Sequence, residues 1–208
     1  MEQKNKRCSD FRLCFIQEKN MNLRHGTLAK YMGAFALCCL LPLHAAEWTL
    51  TPNSQVTFGI KSVGLSIVEG RFNKVQSNLK FDPEVPHKGS AHLVLDVDSI
   101  SFSNPSLKGL ILGSEYFDAA EFKQVKFVSK QIEPVAYAKY MIRGDLTIRG
   151  ITKPVIFDTT LTPSPQNPKV LDVQSLATIK RSDFGMRKAL GGVGEQVLIQ
   201  LKGQWRLE

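Results

Sequence analysis

Cysteine is absent from most of this 208-residue chain. All four cysteines lie near its start, at Cys8, Cys14, Cys38 and Cys39, so residues 47–208 contain none. That part of the chain can neither form a disulfide nor use a thiol as a nucleophile. About 160 residues are nevertheless enough for one domain that is held together by its hydrophobic core.

Long apolar runs are scarce as well. The run from Tyr31 to Leu43 covers 13 residues, follows Arg24 and Lys30, and is soon followed by Ala45-Ala46. A membrane-spanning helix needs about 20 apolar residues. A basic segment, a short apolar segment and small residues at the end are typical of a secretory signal peptide. The sequence therefore predicts a signal peptide in residues 1–46 and a single domain in residues 47–208, exported to the periplasm of a Gram-negative bacterium or secreted.

Two details of this leader are hypotheses of their own. Met21 is our candidate for the true start, because the stretch before Arg24 is long and of mixed charge. A lipoprotein anchor at Cys38 or Cys39 is the weaker alternative to cleavage, since Leu or Cys rather than a small residue precedes each of them.

The charge of the predicted domain is nearly balanced. Residues 47–208 hold 20 Lys and Arg against 16 Asp and Glu, and the basic residues are spread along the chain instead of clustering with aromatic ones. This distribution argues against nucleic acid as a partner. Transient contact with an anionic membrane surface and formation of a homodimer are both compatible with it.

Histidine is too scarce for most catalytic or metal sites, since residues 47–208 contain only His87 and His92. His92, Asp96 and Asp98 share one face of a predicted strand, and ordinary outward polar alternation explains them. The glycines of residues 191–194 lack the preceding strand and following helix of a dinucleotide-binding loop. We expect no enzymatic activity, no metal site and no cofactor.

Alternation of apolar and polar residues is the dominant pattern of the predicted domain. Val197, Ile199 and Leu201 alternate with polar neighbours in the last segment, as expected of an antiparallel strand with one buried face. About eight such strands are predicted, at residues 55–62, 74–81, 91–98, 124–129, 139–148, 151–161, 170–180 and 196–207. The sequence therefore predicts an all-β fold, an eight-stranded antiparallel up-and-down barrel.

One hairpin is predicted in detail. If Arg149-Gly150 is a two-residue loop, Ile148 lies opposite Ile151 and Gly144 lies opposite Val155. Only residues 104–122 differ from the strand pattern, because Pro105 can begin a helix and apolar residues follow at roughly helical spacing. This segment is expected to be a short helix or a loop.

With these strands in place, the chain resembles the YceI family of secreted bacterial proteins. The resemblance covers nearly all of residues 47–208 and rests on Trp48, Gly70-Arg71-Phe72, Phe81-Asp82, Tyr116-Phe117-Asp118, Gly144–Val155, Arg181–Gly185 and Val193-Gly194. It implies a lipocalin-like barrel that binds a polyisoprenoid or another lipid.

The chain departs from the pattern of many YceI family members at four positions. Ser62 and Ile111 stand where histidine is common, Gly109 replaces a common Asp, and Lys123 replaces a common Pro. Polar groups are therefore missing around the expected cavity mouth or its lid. These departures put in doubt the head-group recognition that the resemblance implies, but not the barrel.

An apolar inner face suits either a packed core or a lipid cavity, and the resemblance favours the cavity. Burying hydrocarbon stabilises a complex by about 0.8 kcal/mol per CH₂ group. We expect a lipid-binding protein that sequesters or carries a long-chain amphiphile, such as a polyisoprenoid, an isoprenoid quinone or a fatty-acid derivative. The candidate lining is Phe58, Ile60, Phe72, Leu95, Phe127, Ile142, Leu146, Phe157 and Ile199.

Two polar residues complete the candidate site. Arg181 ends an inward row on its strand, where it can pair with an acidic head group or form a structural ion pair with Asp183 or a neighbouring carboxylate. Ser62 ends another inward row and can donate a hydrogen bond to a ligand or cap the strand.

Two other functions stay open at this point. An outer-membrane barrel uses the same alternation with its apolar face toward lipid. The other is an enzyme or accessory factor in isoprenoid-quinone metabolism, for which His92 and Asp96 are the residues to test.

Overall fold

The computed structural model describes residues 46–62, 65–186 and 194–208, with side chains for all of these except residues 61, 62 and 65–67. The predicted signal peptide up to residue 45, the glycines of residues 191–193 and the side chain of Ser62 therefore lie outside the described residues.

Eleven strands, one short helix and four 3₁₀ turns make up the described part of the chain. The strands are β1 (Glu47–Leu50), β2 (Gln55–Ser62), β3 (Leu65–Phe72), β4 (Val75–Lys80), β5 (Ser90–Asp96), β6 (Ile100–Phe102), β7 (Gln124–Ala136), β8 (Lys139–Ile148), β9 (Ile151–Ser164), β10 (Asn167–Lys180) and β11 (Gln196–Leu207). The helix α1 is Lys108–Leu112, and the 3₁₀ turns are Pro86–Lys88, Val97–Ser99, Pro105–Leu107 and Arg181–Phe184.

Eight of these strands close into a barrel. The order β4-β5-β7-β8-β9-β10-β11 is antiparallel throughout, and β1 closes the ring because it pairs with both β4 and β11. Strands β2, β3 and β6 extend the sheet from the first half of β11. The predicted eight-stranded antiparallel barrel is confirmed.

The strands form where the alternation predicts them because each has one face to bury. Alternate residues are buried from 140 to 148 on β8 and from 171 to 179 on β10, while the residues between them are partly or fully exposed. The period of two places one apolar row inside the barrel and the polar row in solvent.

The predicted hairpin has the expected register. Ile148 pairs with Ile151 and Gly144 with Val155 across Arg149-Gly150. Both loop residues have positive φ, 52° for Arg149 and 71° for Gly150, as a two-residue turn of this twist requires.

Three strands were not among the eight that the alternation predicts, although the resemblance places Trp48 at the opening of the first strand. β1 and β6 have only four and three residues. β3 has eight residues and ends with Gly70-Arg71-Phe72, which the resemblance marked only as a motif. The strand predicted to run to residue 98 ends at Asp96, because the Asp96 carboxylate accepts a hydrogen bond from the amide of Asp98 and begins a 3₁₀ turn. The assumption that His92, Asp96 and Asp98 share a strand face is therefore wrong for Asp98.

The segment 105–122 contains the short helix. Pro105 begins the first 3₁₀ turn, and the Asn104 side chain accepts a hydrogen bond from the Ser106 amide. After α1, the amide of Phe117 donates to Ile111 and that of Ala119 donates to Leu112. These bonds fold the segment back on itself, and we call residues 105–122 the cover.

Candidate functional site

The interior of the barrel contains an elongated apolar cavity. Its lining runs from Arg181, Tyr116 and Ile111 beside the cover to Trp205 at the opposite end. We call these the arginine end and the tryptophan end. Leu171 on β10 is the register partner of Trp205, and Arg181 directly follows β10. Leu171 and Arg181 are separated by about 33 Å of chain at the rise of a strand. This is about 25 Å along the barrel axis if the strands are tilted by roughly 40°.

Most of the predicted lining residues do line this cavity. The ten whose side chains are described, Phe58, Ile60, Phe72, Leu95, Phe127, Ile142, Leu146, Phe157, Arg181 and Ile199, all contribute to its wall. Their contact with a ligand stays a prediction. The same holds for Ser62, whose side chain lies outside the described residues.

The cavity is narrow. Its volume is about 110 Å³, on a scale on which one water needs about 10–15 Å³. Spread over the length of the barrel, this room suits a thin flexible chain. A broad ring system needs the lining side chains to move aside.

Aromatic rings of the barrel wall pack beneath the cover. Phe117 of the cover packs against Phe58 and Phe72, with ring centroids 5.5 Å and 6.3 Å away. Gly70 on β3 makes room for this cluster, because a Cβ at that position would collide with the Phe58 ring. The cover is thus anchored to the barrel wall by ring contacts.

Two hydroxyls interrupt the apolar lining. Thr159 on β9 and Ser175 on β10 are register partners, each is only 5% exposed, and their side-chain oxygens are hydrogen-bonded at 2.7 Å. Both line the cavity. They were not among the candidate residues, although the inward parity of Phe157 and Ala177 already places them on the inner face.

Arg181 is the buried cation at the arginine end, with 1% of its surface exposed. Its Nε lies 3.9 Å from a carboxylate oxygen of Glu195, and its guanidinium lies 5.7 Å from the centroid of the Tyr116 ring. Glu195 also accepts a hydrogen bond from the Ser182 amide. The carboxylate partner is therefore Glu195, and no ion pair to Asp183 is present among the described residues.

Arg149 connects the hairpin to two neighbouring segments at this end. Its Nη1 donates to the carbonyl of Gly185 at 2.7 Å, and its Nη2 lies 3.9 Å from the Asp118 carboxylate. Asp118 in turn accepts hydrogen bonds from the amides of Glu121 and Phe122 through its carbonyl. One side chain thereby links the β8–β9 hairpin, the turn after β10 and the cover.

The departures from the family pattern fall in different environments. Ile111 is buried and lines the cavity, whereas Gly109 faces open space. Lys123 forms an exposed ion pair with Asp98 at 3.1 Å. At Ile111 an apolar group thus faces the interior, which makes the cover's underside hydrophobic.

The histidines do not belong to the cavity wall. His87 lies in the 3₁₀ turn Pro86–Lys88, and His92 is exposed on β5. Over residues 46–62, 65–186 and 194–208, no three His, Cys, Asp or Glu side chains are grouped in a way that could hold a metal ion. None of the helices in these ranges has the length and hydropathy needed to cross a lipid bilayer.

Fold and cavity together define a small closed β-barrel with an apolar interior cavity, the architecture that lipocalins share. A family model of the YceI-like domain matches residues 48–205. The chain therefore belongs to the YceI-like family.

Individual relatives agree with this assignment. A UPF0312 protein of Yersinia enterocolitica is 26% identical over 159 residues, which is 74% of this chain and 82% of the relative. The crystal structure of BcnA from Burkholderia cenocepacia shares 30% identity with a TM-score of 0.67, over 73% of this chain and 95% of BcnA.

A more distant structure shares the fold alone. It is a polyisoprenoid binding domain from Saccharophagus degradans implicated in plant cell wall breakdown. Its TM-score is 0.60 at 14% identity, over 79% of this chain and all of that domain.

Proposed function

We propose that the protein is a periplasmic lipid-binding protein that sequesters or carries a long-chain amphiphile, with the tail inside the barrel. The observation that carries this proposal is the elongated apolar cavity, whose wall includes ten of the eleven residues selected as lipid contacts. A polyisoprenoid, an isoprenoid quinone and a fatty-acid derivative all have a tail of the required chemistry.

The physical argument rests on hydrocarbon transfer. The wall is apolar except near Thr159 and Ser175 and at the arginine end, where Arg181 and Tyr116 lie. A flexible tail that leaves water for this interior gains about 0.8 kcal/mol per CH₂ group. The polyisoprenoid binding domain of Saccharophagus degradans has the same fold, which supports a lipid ligand for this barrel.

The tail enters, on this proposal, at the arginine end. There the barrel is closed by the cover, a segment of turns and a five-residue helix, which can move more readily than paired strands. At the tryptophan end the closure is made by β1 and buried aromatic rings. A head group that stays at the arginine end would lie near Arg181 and Tyr116.

Native mass spectrometry and an organic extract of the natively purified protein test the proposal. We expect one long-chain amphiphile per barrel. An extract without any such compound, together with no binding of the neutral fluorescent probe N-phenylnaphthylamine, would contradict it.

A pair of tryptophan substitutions separates cavity binding from surface binding. Ile199→Trp fills part of the cavity and should weaken probe binding about tenfold or more, at a cost of about 1–3 kcal/mol in stability. Leu176→Trp places the same ring on the outer face, where Leu176 is partly exposed, and should leave binding unchanged. Equal effects of the two substitutions would argue for surface binding.

The periplasmic location rests on the signal-peptide pattern and is tested separately. Release by osmotic shock without detergent, with a mature terminus near Glu47, is the expected result. The burial pattern also disfavours the outer-membrane alternative, because the apolar rows of β8 and β10 face the barrel interior, the reverse of a barrel that faces lipid. Recovery of the protein only in detergent-extracted membranes would overturn this part of the proposal.

A further inference from the structure

We infer that the ligand carries an uncharged oxygen atom deep in the cavity, where it accepts a hydrogen bond from the Thr159–Ser175 hydroxyl pair. This inference rests on the proposed function. It adds which functional group a ligand needs in order to bind in the inner part of the cavity.

The pair has a hydrogen to spare. Each hydroxyl carries one hydrogen and two acceptor lone pairs, and the bond between Thr159 and Ser175 uses one hydrogen of the two. Within the described part of the chain, neither hydroxyl has another hydrogen-bond partner. One O–H group is therefore left to donate to whatever occupies the cavity.

The surroundings make that donor selective. The cavity-lining residues next to the pair are Leu161 on β9, Val173 on β10 and Leu201 on β11, none of which can accept a hydrogen bond through its side chain. Tyr140 on β8 is the other register partner of Thr159 and is buried, but its phenol forms no hydrogen bond with either hydroxyl. A buried donor facing pure hydrocarbon stays unsatisfied and opposes binding. A ligand oxygen at this level removes that penalty.

The ligand oxygen should be uncharged. Arg181, the cation of the cavity wall, lies six residues from Ser175 along β10, about 20 Å of strand, so it does not neutralise a charge at this depth. A carbonyl, hydroxyl, ether or amide oxygen meets the requirement. Such a group occurs at the polar end of a ligand bound head first, or as an oxygen within the tail.

Dodecanol and dodecane are the matched probes, because they share the same hydrocarbon chain and differ by one hydroxyl group. The affinity of each is measured by its displacement of N-phenylnaphthylamine from the full protein. The readout is the ratio of their dissociation constants, compared between the wild type and Thr159→Val/Ser175→Ala. We expect the double substitution to shift this ratio about tenfold toward dodecane, the equivalent of one neutral hydrogen bond. Val173→Ala is the control, because it enlarges the same region without removing a hydroxyl and should shift both probes alike.

A single substitution gives a second test that does not depend on the double variant folding. Thr159→Val keeps the side-chain shape and leaves the Ser175 hydroxyl without its protein partner, so the preference for dodecanol should rise. If the ratio of the two dissociation constants is unchanged in both variants, the two hydroxyls bond only to each other and not to the ligand. That result overturns this inference but leaves the proposed lipid binding intact. If neither probe binds the wild type and its extract holds no lipid, the proposed function fails and this inference fails with it.

Discussion

The two ends of the barrel are closed in different ways. At the tryptophan end, the indole N–H of Trp48 donates to the Phe81 carbonyl at 3.2 Å, and the Phe81 and Tyr140 rings meet edge to face at 5.1 Å. Trp205, 3% exposed, lies beside them in β11. This closure combines strand pairing with buried aromatic surface.

The arginine end is closed by the cover and by polar side chains. Arg149 holds the cover through Asp118 and Gly185, and Arg181 contacts Glu195 and Tyr116. Phe117 also packs the cover against the barrel wall through buried rings, so the cover is held both by aromatic contacts and by ion pairs whose carboxylates are partly exposed. The two closures therefore differ in kind, because paired strands close the tryptophan end whereas a segment of turns closes the arginine end. On the proposed function, we expect the segment of turns to be the part that opens for a ligand.

Trp205→Ala is the strongest test of this comparison. Removing a buried indole from the tryptophan end should lower the free energy of unfolding by about 3–5 kcal/mol, as measured by urea denaturation. Tyr137→Ala is the control at the same end, because Tyr137 is 91% exposed and should change stability by no more than about 0.5 kcal/mol. Similar losses for both substitutions would contradict the stabilising role of the buried ring.

Gly70→Ala tests the packing of the aromatic cluster below the cover. The added methyl would collide with the Phe58 ring, and displacing this ring should destabilise the protein by about 1–3 kcal/mol. Gly109→Ala adds the same methyl to α1 in open space and should instead stabilise the helix by about 0.5–1 kcal/mol. Thermal unfolding of both variants measures whether each substitution lowers or raises stability. A lower stability of Gly109→Ala would show that the cover has no free space at this position.

The pH dependence of stability, compared between the wild type and Tyr140→Phe, tests the burial of the Tyr140 phenol at the tryptophan end. Burial, followed by the nearby Tyr137, raises the pKa of Tyr140 above the ordinary value of 10.0. The folded protein therefore holds this proton more tightly than the unfolded chain, so the contribution is present below pH 10 and is lost as pH rises through the folded pKa.

Unfolding free energies measured between neutral pH and pH 11 check this expectation. Above pH 10, the stability of the wild type should fall more steeply than that of Tyr140→Phe, by at most about 1.4 kcal/mol per pH unit. Parallel curves for the two proteins would mean that the phenol titrates as it does in the unfolded chain.

Arg149→Met is expected to have the smallest effect on global stability. It removes the contacts to Gly185 and Asp118 while keeping a long side chain, so the free energy of unfolding should change by less than about 1 kcal/mol. Amide hydrogen exchange of Glu121 and Phe122 should nevertheless become several-fold faster, because these amides belong to the cover. A global loss as large as that of Trp205→Ala would remove the distinction between the two ends.

Much of the fold is readable from the sequence because a strand's side chains alternate strictly between two faces. The Ile148–Ile151 register followed from a two-residue turn alone, and the apolar rows of the predicted strands identified part of the cavity wall. Strands β1 and β6 were missed because three or four residues are too few to display a period. The Asp98 error had a different origin, because a carboxylate that accepts a hydrogen bond from a nearby amide ends a strand without disturbing the polarity pattern.

The sequence by itself determined an antiparallel barrel with an apolar inner face, because backbone geometry ties side-chain direction to residue parity. Only the tertiary structure decided which side chains meet: Thr159 with Ser175, Arg181 with Glu195 and Tyr116, and Arg149 with the cover. Those partners belong to different strands and turns, and their distances depend on how the sheet closes. Closure likewise determines whether inward side chains fill the interior or leave a cavity, which no alternation pattern records.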